Sequence, residues 1–372
     1  MVMQIELLAS RYDLCRASGL VNQRVFDTII IGGGPAGSAA ALHLAYHKRS
    51  VLVLDRGTSP MYFHTNSIMN FPAPQTYSEG RVLLQQLQGV AKAAGAEYRS
   101  ANVIEVSGSY PRFVIRTAPS YRTKDKSEYI AKTLIFSTGT SRKHPKVNGF
   151  WRKWLPVANV GNGAFYCPDC EAPLCKDKDV LVVNAGTVGS ALHVANSLTR
   201  FAKRIRILMT EDAYRSYAEQ DISMLDEAPF EWMHGRIKRI EFPVPGKLQR
   251  ITLDSGDVIQ TEVFFVAFVA EARSELAQSI GVEVDERGNI KTDHRGKTNV
   301  EGIWAAGDCR PITQQVAMAT GTGNYAAIMI NQFLGNKHES EEEFDHPEQR
   351  SALHVSTGED KVREEDAENL QT

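Results

Sequence analysis

Two cysteines, Cys167 and Cys170, are separated only by a proline and an aspartate in the segment AFYCPDCEAP, residues 164–173. This spacing brings two sulfur atoms within bonding distance, so the pair can form and break a disulfide. Such a bond exchanges with an external disulfide through a mixed disulfide. The pair is therefore a candidate for redox catalysis.

Two other interpretations of the pair remain open. Cys167, Cys170 and Cys175 with one histidine would complete a tetrahedral zinc site. Structural zinc normally brings a second closely spaced ligand pair, and the sequence contains none, so we predict no metal. A buried, unreactive cysteine pair is the other alternative.

The composition limits the class of protein. A chain of 372 residues, 42% of them hydrophobic, is long enough for two domains. A formal net charge of −2 without a long basic run argues against a nucleic-acid partner. Five cysteines, an odd number, fit a reducing compartment, and we expect the cytoplasm. We find no signal peptide and no apolar stretch of 18 residues, so no membrane partner is expected.

Residues 27–57 have the pattern of a dinucleotide-binding β-strand, glycine turn, helix and second strand. Gly32, Gly34 and Gly37 fit the G-x-G-x-x-G spacing, which lets a pyrophosphate approach the backbone at the start of a helix. Asp55 ends the second strand, where an acid accepts hydrogen bonds from ribose hydroxyls. This unit predicts a dinucleotide site.

A second unit of the same kind begins at residue 179, but its glycine pattern is incomplete. Asn184 replaces the first glycine, while Gly186 and Gly189 keep the second and third places. We expect the turn to form and its fit to a pyrophosphate to be weakened. Glu211 and Asp212 end the second strand and would repel the 2′-phosphate of NADPH.

These motifs together resemble the low-molecular-weight thioredoxin reductases. The intact glycine loop, the turn at Ser137–Gly139, the CPDC pair, the second unit, and GIWAAGD followed by QQVAMATGTG occur in that family's order and spacing. The likeness covers about residues 26–334. It implies an FAD-dependent enzyme that reduces a thioredoxin-like protein or a small disulfide, and a homodimer.

The resemblance also implies the fold and the domain organisation. We expect an α/β protein with two Rossmann-like, three-layer nucleotide-binding domains, the second inserted in the first. The FAD domain would comprise residues 26–146 and 271–334, and residues 147–270 would form the insertion that carries the cysteine pair. Residues 1–25 would be an N-terminal extension. Residues 335–372 would be an acidic, disordered tail, since 12 Asp and Glu face 4 Lys and Arg from Asn336 onward.

The resemblance assigns roles to individual residues. Cys170 would face the flavin, Cys167 would attack the substrate disulfide, and Glu171 stands where the family has an aspartate that acts as general acid. The residues expected to bind FAD are Gly32, Gly34, Gly37, Asp55, Asn70, Gly139, Asp308, Gln315 and Val316.

Departures from the family leave the electron donor open. Ser59, Pro60 and Met61 replace a Gly-Gly-Gln segment, and the second nucleotide site is eroded at Asn184. Relatives without pyridine nucleotide use ferredoxin or a second FAD, so NADPH, NADH, ferredoxin and a second flavin are all candidates. Two other functions stay open: a dithiol oxidase that uses oxygen, and a non-enzymatic redox sensor.

Overall fold

The computed structural model describes residues 24–64, 68–72, 79–120, 122–155, 164–241, 249–268 and 270–345, with side chains up to residue 336. Nearly all of the predicted N-terminal extension and most of the acidic tail lie outside these residues. The helices are α1 (Pro35–Tyr46), α2 (Gly80–Ala93), α3 (Pro168–Glu171), α4 (Val188–Leu198), α5 (Glu211–Tyr214), α6 (Glu219–Asp226), α7 (Glu275–Gln278) and α8 (Val316–Asp345). Short 3₁₀ helices span Pro60–Phe63, Trp151–Lys153, Ala172–Cys175 and Gly307–Cys309.

The strands belong to four sheets within the described residues. They are β1 (Val25–Ile31), β2 (Val51–Asp55), β3 (Glu97–Ser100), β4 (Asn102–Ser109), β5 (Arg112–Ala118), β6 (Glu128–Phe136), β7 (Thr140–Ser141), β8 (Ala164–Phe165), β9 (Asp179–Asn184), β10 (Arg204–Thr210), β11 (Glu231–Gly235), β12 (Ile237–Glu241), β13 (Gln249–Leu253), β14 (Val258–Thr261), β15 (Val263–Ala267), β16 (Glu271–Ala272) and β17 (Ile303–Ala305).

The first sheet has the order β3-β2-β1-β6-β5-β4, with β17 beside β6. Strands β1, β2, β6 and β17 are parallel, and their apolar side chains are buried from both faces, as their continuous hydrophobic sequences require. Because parallel strands end at the same edge, the segments that follow Ile31, Leu54, Phe136 and Ala305 come together there. These segments carry the glycine loop, Asp55, the Ser137–Gly139 turn and Asp308.

The second sheet is parallel, with the order β11-β10-β9-β15-β8, and lies entirely within residues 164–267. Its central strands are fully buried; Val182 and Phe265, for example, have no exposed surface. The antiparallel strands β12, β13 and β14 pack beside it through Ile237 and Ile251, which share a core cluster with Leu181. Two Rossmann-like α/β units are therefore present, one around each of the two large sheets, and the predicted fold class is confirmed.

The two segments that cross between the sheets pair with each other. β7 and β16 form an antiparallel ribbon in which Ser141 lies opposite Glu271 and Thr140 opposite Ala272. The second sheet therefore begins and ends at neighbouring points, as an inserted domain requires. The exact domain boundaries stay a prediction.

Residues up to Ile328 form one compact unit, and Met329 onward form another. The candidate site described below lies in the first unit. None of the described helices has the length and apolar content needed to cross a bilayer.

Candidate active site

The first glycine loop has a backbone that other residues would not fit. Gly32 has φ +111°, and a Cβ there would lie 2.3 Å from the carbonyl oxygen of Ser137. A Cβ on Gly37 would lie 2.0 Å from the carbonyl oxygen of Gly32. Gly34 is the N-cap of α1 and offers no side-chain acceptor to the first-turn amides. Those amides are therefore available to an anion such as a pyrophosphate.

Asp55 lies beside this loop and is held by residues that the sequence analysis missed. Its Oδ1 accepts a hydrogen bond from the amide of Gly57 at 3.1 Å, and its Oδ2 accepts one from Tyr62 at 2.7 Å. Gln88 donates both to the Tyr62 hydroxyl, at 2.9 Å, and to the carbonyl oxygen of Gly33, at 2.8 Å. Burial raises the pKa of Tyr62, so its hydroxyl stays a donor. The sequence has no short-range signal for this network.

Asp308 presents an unsatisfied acceptor to the same cleft. Its Oδ1 is buried and has no hydrogen-bond partner among the described residues. Burial raises its pKa to about 6, a change only partly offset by the positive charge of Arg142. A ligand hydroxyl would satisfy this oxygen, and the polyhydroxyl chain of FAD carries such groups. The glycine loop and Asp308 therefore both fit FAD.

Cys167 and Cys170 form a disulfide at the start of α3, with their Cα atoms 5.3 Å apart. Two residues from the FAD side contact it. The side chain of Gln315 places Nε2 3.4 Å from Cys167 Sγ and Oε1 3.4 Å from Cys170 Sγ. Asn70 Nδ2 lies 3.8 Å from Cys170 Sγ and donates a hydrogen bond to Gln315 at 2.8 Å. The structure thus brings together Asn70, Gln315 and the cysteine pair, which are far apart in sequence.

Glu171 is buried directly beneath the cysteine turn, with 4% of its surface exposed. Its Oε2 accepts hydrogen bonds from the backbone amides of Tyr166, at 2.8 Å, and Cys167, at 3.1 Å. The carboxylate therefore helps to hold the turn that carries the first cysteine.

The predicted FAD residues other than Gly37, together with the disulfide, line a single cleft of about 1240 Å³. Gly139, whose φ is +65°, and Val316, the first residue of α8, also line it. Gly186 and Gly189 are not among the residues that line this cleft; Gly186 lies in the loop between β9 and α4, and Gly189 is the second residue of α4.

The same cleft has an aromatic and basic side that sequence reasoning did not identify. Arg142 lies over the rings of Tyr166, at 5.2 Å, and Phe268, at 5.9 Å. His144 contacts the hydroxyl of Tyr166 through Nδ1 at 3.0 Å, and its pKa is lowered to about 4 by burial and by Arg142. Trp154 is fully buried and donates to the same hydroxyl at 2.8 Å. The sequence signal that could have identified Arg142 and His144 as cleft residues is their position shortly after the Gly139 turn.

Cys167 and Cys170, two of the three cysteines named in the zinc alternative, are bonded to each other. Cys175 is buried, and burial raises the pKa of its thiol to about 12, so the thiol stays protonated. Within the described ranges, no group of three histidine, cysteine or carboxylate side chains is arranged to hold a metal ion.

Comparison with known proteins agrees with this site. The family model described as pyridine nucleotide-disulphide oxidoreductase matches residues 26–323. A thioredoxin reductase of Bacillus subtilis is 28% identical over 319 residues, covering 84% of this chain and 96% of the relative. A thioredoxin reductase of Peptoclostridium litorale is 29% identical over 325 residues, covering 84% and 98%.

The fold has a close match among solved structures. The crystal structure of thioredoxin reductase from Streptococcus pyogenes superposes with a TM-score of 0.72 at 24% identity, covering 85% of this chain and all of that one. The chain therefore belongs to the pyridine nucleotide-disulphide oxidoreductase family, as a flavin-dependent disulfide oxidoreductase of the low-molecular-weight thioredoxin reductase type.

Proposed function

We propose that the protein passes two electrons from bound FAD to the Cys167–Cys170 disulfide and from the resulting dithiol to a thioredoxin-like protein or a small disulfide. The observation that carries this proposal is the contact of Gln315 and Asn70, two predicted flavin-side residues, with the sulfur atoms. These contacts support a disulfide that lies at the expected flavin edge.

The residues around the cleft support FAD as the resident cofactor. Gly32, Gly34 and Gly37 would take its pyrophosphate, Asp55 its ribose, and Asp308 a hydroxyl of its ribityl chain. When bound, FAD supplies a two-electron donor next to the disulfide.

The two cysteines have different roles in the proposed reaction. Asn70 contacts only Cys170 of the two sulfurs, which favours Cys170 as the flavin-facing cysteine and Cys167 as the one that meets substrate. Reduction adds two electrons and two protons to the pair and breaks the S–S bond. Cys167 thiolate then attacks the substrate disulfide and forms a mixed disulfide, which releases one substrate thiolate. Cys170 thiolate attacks Cys167 Sγ, releases the second thiolate and restores the original bond.

Glu171 is proposed as the general acid of this exchange. Its carboxylate lies 3.1 Å from the Cys167 amide, which keeps it next to the exchanging sulfur. A protonated carboxyl at this place would donate its proton to a departing thiolate. The two electrons that reduce the flavin would come from one NADPH or NADH, from two reduced ferredoxins, or from a second FAD that has itself been reduced. The homodimer, the ferredoxin partner and the cytoplasmic location stay predictions from sequence.

The test uses holoenzyme whose flavin is photoreduced anaerobically, without any pyridine nucleotide. Addition of oxidised thioredoxin, or of a small disulfide, should reoxidise the flavin and yield two thiols per FAD. Cys170→Ser should stop thiol formation, while Cys175→Ser, which alters a buried thiol outside the bond, should leave it intact. Equal thiol yields from Cys170→Ser and the wild type would refute the proposed route. Peroxide formed at the expense of an added dithiol would instead favour a dithiol oxidase.

A further inference from the structure

We propose that the second strand-loop-helix unit, β9 to α4, is closed to dinucleotides by Asn184 and Tyr217, so that neither NADPH nor NADH reduces the flavin from this domain. This inference rests on the proposed function in one respect, because it takes the flavin as the group that receives the electrons. The first glycine loop of the same chain, at Gly32–Gly37, provides an internal comparison.

The two loops begin with different backbone conformations. Gly32 has φ +111°, a conformation that favours glycine, and its Cβ position is blocked by the backbone of Ser137. Asn184 stands at the matching place without a positive φ. The second loop therefore does not repeat the turn that holds a pyrophosphate in the first.

The Asn184 side chain fills the inside of its loop. It has no exposed surface, and its Nδ2 lies 3.2 Å from the carbonyl oxygen of Gly186, 3.1 Å from that of Thr187 and 2.6 Å from the Tyr217 hydroxyl. Its Oδ1 accepts hydrogen bonds from the amide of Gly186, at 3.1 Å, and the hydroxyl of Ser190, at 3.2 Å. The Gly186 amide, which would otherwise face a phosphate, is thus bonded within the protein.

Tyr217 fixes the loop from outside. Its hydroxyl donates a hydrogen bond to the carbonyl oxygen of Gly186 at 2.8 Å while contacting Asn184. Burial raises the pKa of Tyr217 to about 12, so the phenol stays neutral and keeps this donor. A pyrophosphate that displaced it would remove one hydrogen-bond partner from the buried Asn184 side chain and one from the half-buried Gly186 carbonyl, which is costly.

The start of the second helix is also satisfied internally. α4 has Thr187 as its N-cap, one position later than the Gly34 cap of α1, and Thr187 Oγ1 accepts a hydrogen bond from the amide of Ser190 at 3.2 Å. A Cβ on Gly189 would meet Thr187 Oγ1 as its nearest described neighbour, at 3.9 Å, whereas one on Gly37 would meet backbone at 2.0 Å. The third glycine of the second loop is therefore not required by close packing.

The charged residues after β10 already form ion pairs, at the place where a dinucleotide would present its adenosine ribose. Arg215 contacts Glu211 at 2.8 Å, and His234 contacts the same carboxylate at 3.5 Å. Asp212 is paired with Lys146 at 2.7 Å. Arg215, the first arginine after β10, thus already contacts Glu211 and would have to leave it to bind a 2′-phosphate.

The direct test is anaerobic titration of the oxidised holoenzyme with NADPH and, separately, NADH. We expect the flavin absorption band to persist in a large excess of either nucleotide, while dithionite bleaches the same sample completely. Prompt stoichiometric bleaching by either nucleotide would overturn the proposal.

A second test asks whether Asn184 and Tyr217 are the cause. The double variant Asn184→Gly/Tyr217→Phe should bind NADPH or NADH at least about tenfold more tightly than the wild type, measured by equilibrium dialysis. Tyr214→Phe, which changes a tyrosine three residues away that makes no hydrogen bond to the loop, should not change binding. Unchanged nucleotide affinity in a double variant that retains its FAD would contradict the proposal that Asn184 and Tyr217 close the loop. If the double variant loses FAD, Tyr217→Phe alone, which keeps the ring, provides the same comparison.

The photoreduction experiment keeps the two proposals apart, because it needs no nucleotide. An enzyme that reduces thioredoxin from photoreduced flavin but ignores NADPH and NADH supports both proposals. An enzyme bleached by NADPH that reduces no disulfide refutes both independently.

Discussion

At the residue scale, Gln315 connects the two chemical parts of the site. Its amide contacts both sulfurs and accepts a hydrogen bond from Asn70, so one side chain from the flavin side fixes the position of the disulfide. Electron transfer between two groups depends strongly on such positioning. Gln315 therefore acts by placement of the disulfide.

Replacement of Gln315 by leucine should slow electron transfer from flavin to disulfide. If the lost contacts raise the activation free energy of electron transfer by about 1 kcal/mol, the rate falls roughly fivefold. Stopped-flow reoxidation of photoreduced holoenzyme measures this step. The matched control is Gln314→Leu, which changes an exposed neighbour, and equal rates in the two variants would contradict the role given to Gln315.

Asp308 makes the stability of the FAD-free chain depend on pH. Its pKa rises from an ordinary value of 3.8 to about 6 in the folded state because of burial. The folded chain therefore holds more protons than the unfolded chain in this window, and its stability falls as pH rises from about 4 to about 6. At about 1.4 kcal/mol for each unit of pKa difference, the loss is roughly 2 to 3 kcal/mol.

Urea denaturation of FAD-free protein across this pH range checks the expectation. Asp308→Asn should remove the decline, since the amide does not ionise. It should also weaken FAD binding, because it replaces one carboxylate oxygen that would accept a hydrogen bond from the ribityl chain. An identical pH profile in the variant would mean that Asp308 does not carry the effect.

At the scale of elements, the two strand-loop-helix units differ in whether the backbone amides of their loops remain available to a ligand. The first leaves the amides at the start of α1 without side-chain partners, while the second uses Asn184 and Thr187 to bond its own backbone groups. Similar strands and helices therefore support one open and one closed loop.

Alanine at the third glycine of each loop should have opposite effects. Gly37→Ala places a Cβ 2.0 Å from the carbonyl oxygen of Gly32, so we expect loss of FAD and of stability. Gly189→Ala has room within α4 and should stabilise the chain by up to about 1 kcal/mol, because alanine favours a helix. Thermal unfolding and FAD content measure both. Equal destabilisation by the two variants would refute the difference between the loops.

At the scale of the whole molecule, the two sheets are joined through the paired segments β7 and β16. Because Ser141 and Glu271 face each other across this ribbon, the chain leaves and re-enters the first sheet at neighbouring points. Gly32, Asp55 and Asp308 all belong to segments that end or follow strands of the first sheet. The cysteine pair lies, in sequence, between β7 and β16. We therefore expect cofactor binding and disulfide chemistry to be carried by separable parts of the chain.

Deletion of residues 142–270, with a two-residue glycine linker between Ser141 and Glu271, should leave a chain that binds FAD. Antiparallel neighbours are about 5 Å apart, so a two-residue turn spans the gap. The shortened chain should retain FAD and reduce no disulfide, as measured by flavin absorbance and thiol release. A folded product that does not bind FAD would contradict the proposed division.

The sequence predicted those parts of the site that depend on local geometry. Glycine at positions 32 and 37 is required by a turn of a few residues, and the spacing of Cys167 and Cys170 sets the distance between their sulfurs. The parallel α/β fold likewise followed from buried apolar strands that alternate with helices. Such features can be predicted from sequence because their causes lie within a short stretch of chain.

Only the tertiary structure decided the contacts between distant segments. Gln315 reaches Cys167 across 148 residues, and Tyr217 closes the loop at Asn184 from 33 residues away. A sequence shows that Asn184 is not glycine, but packing alone determines whether its side chain faces solvent or fills the loop. The dinucleotide site of the first unit was thus determined by sequence, and the closed state of the second by long-range hydrogen bonds.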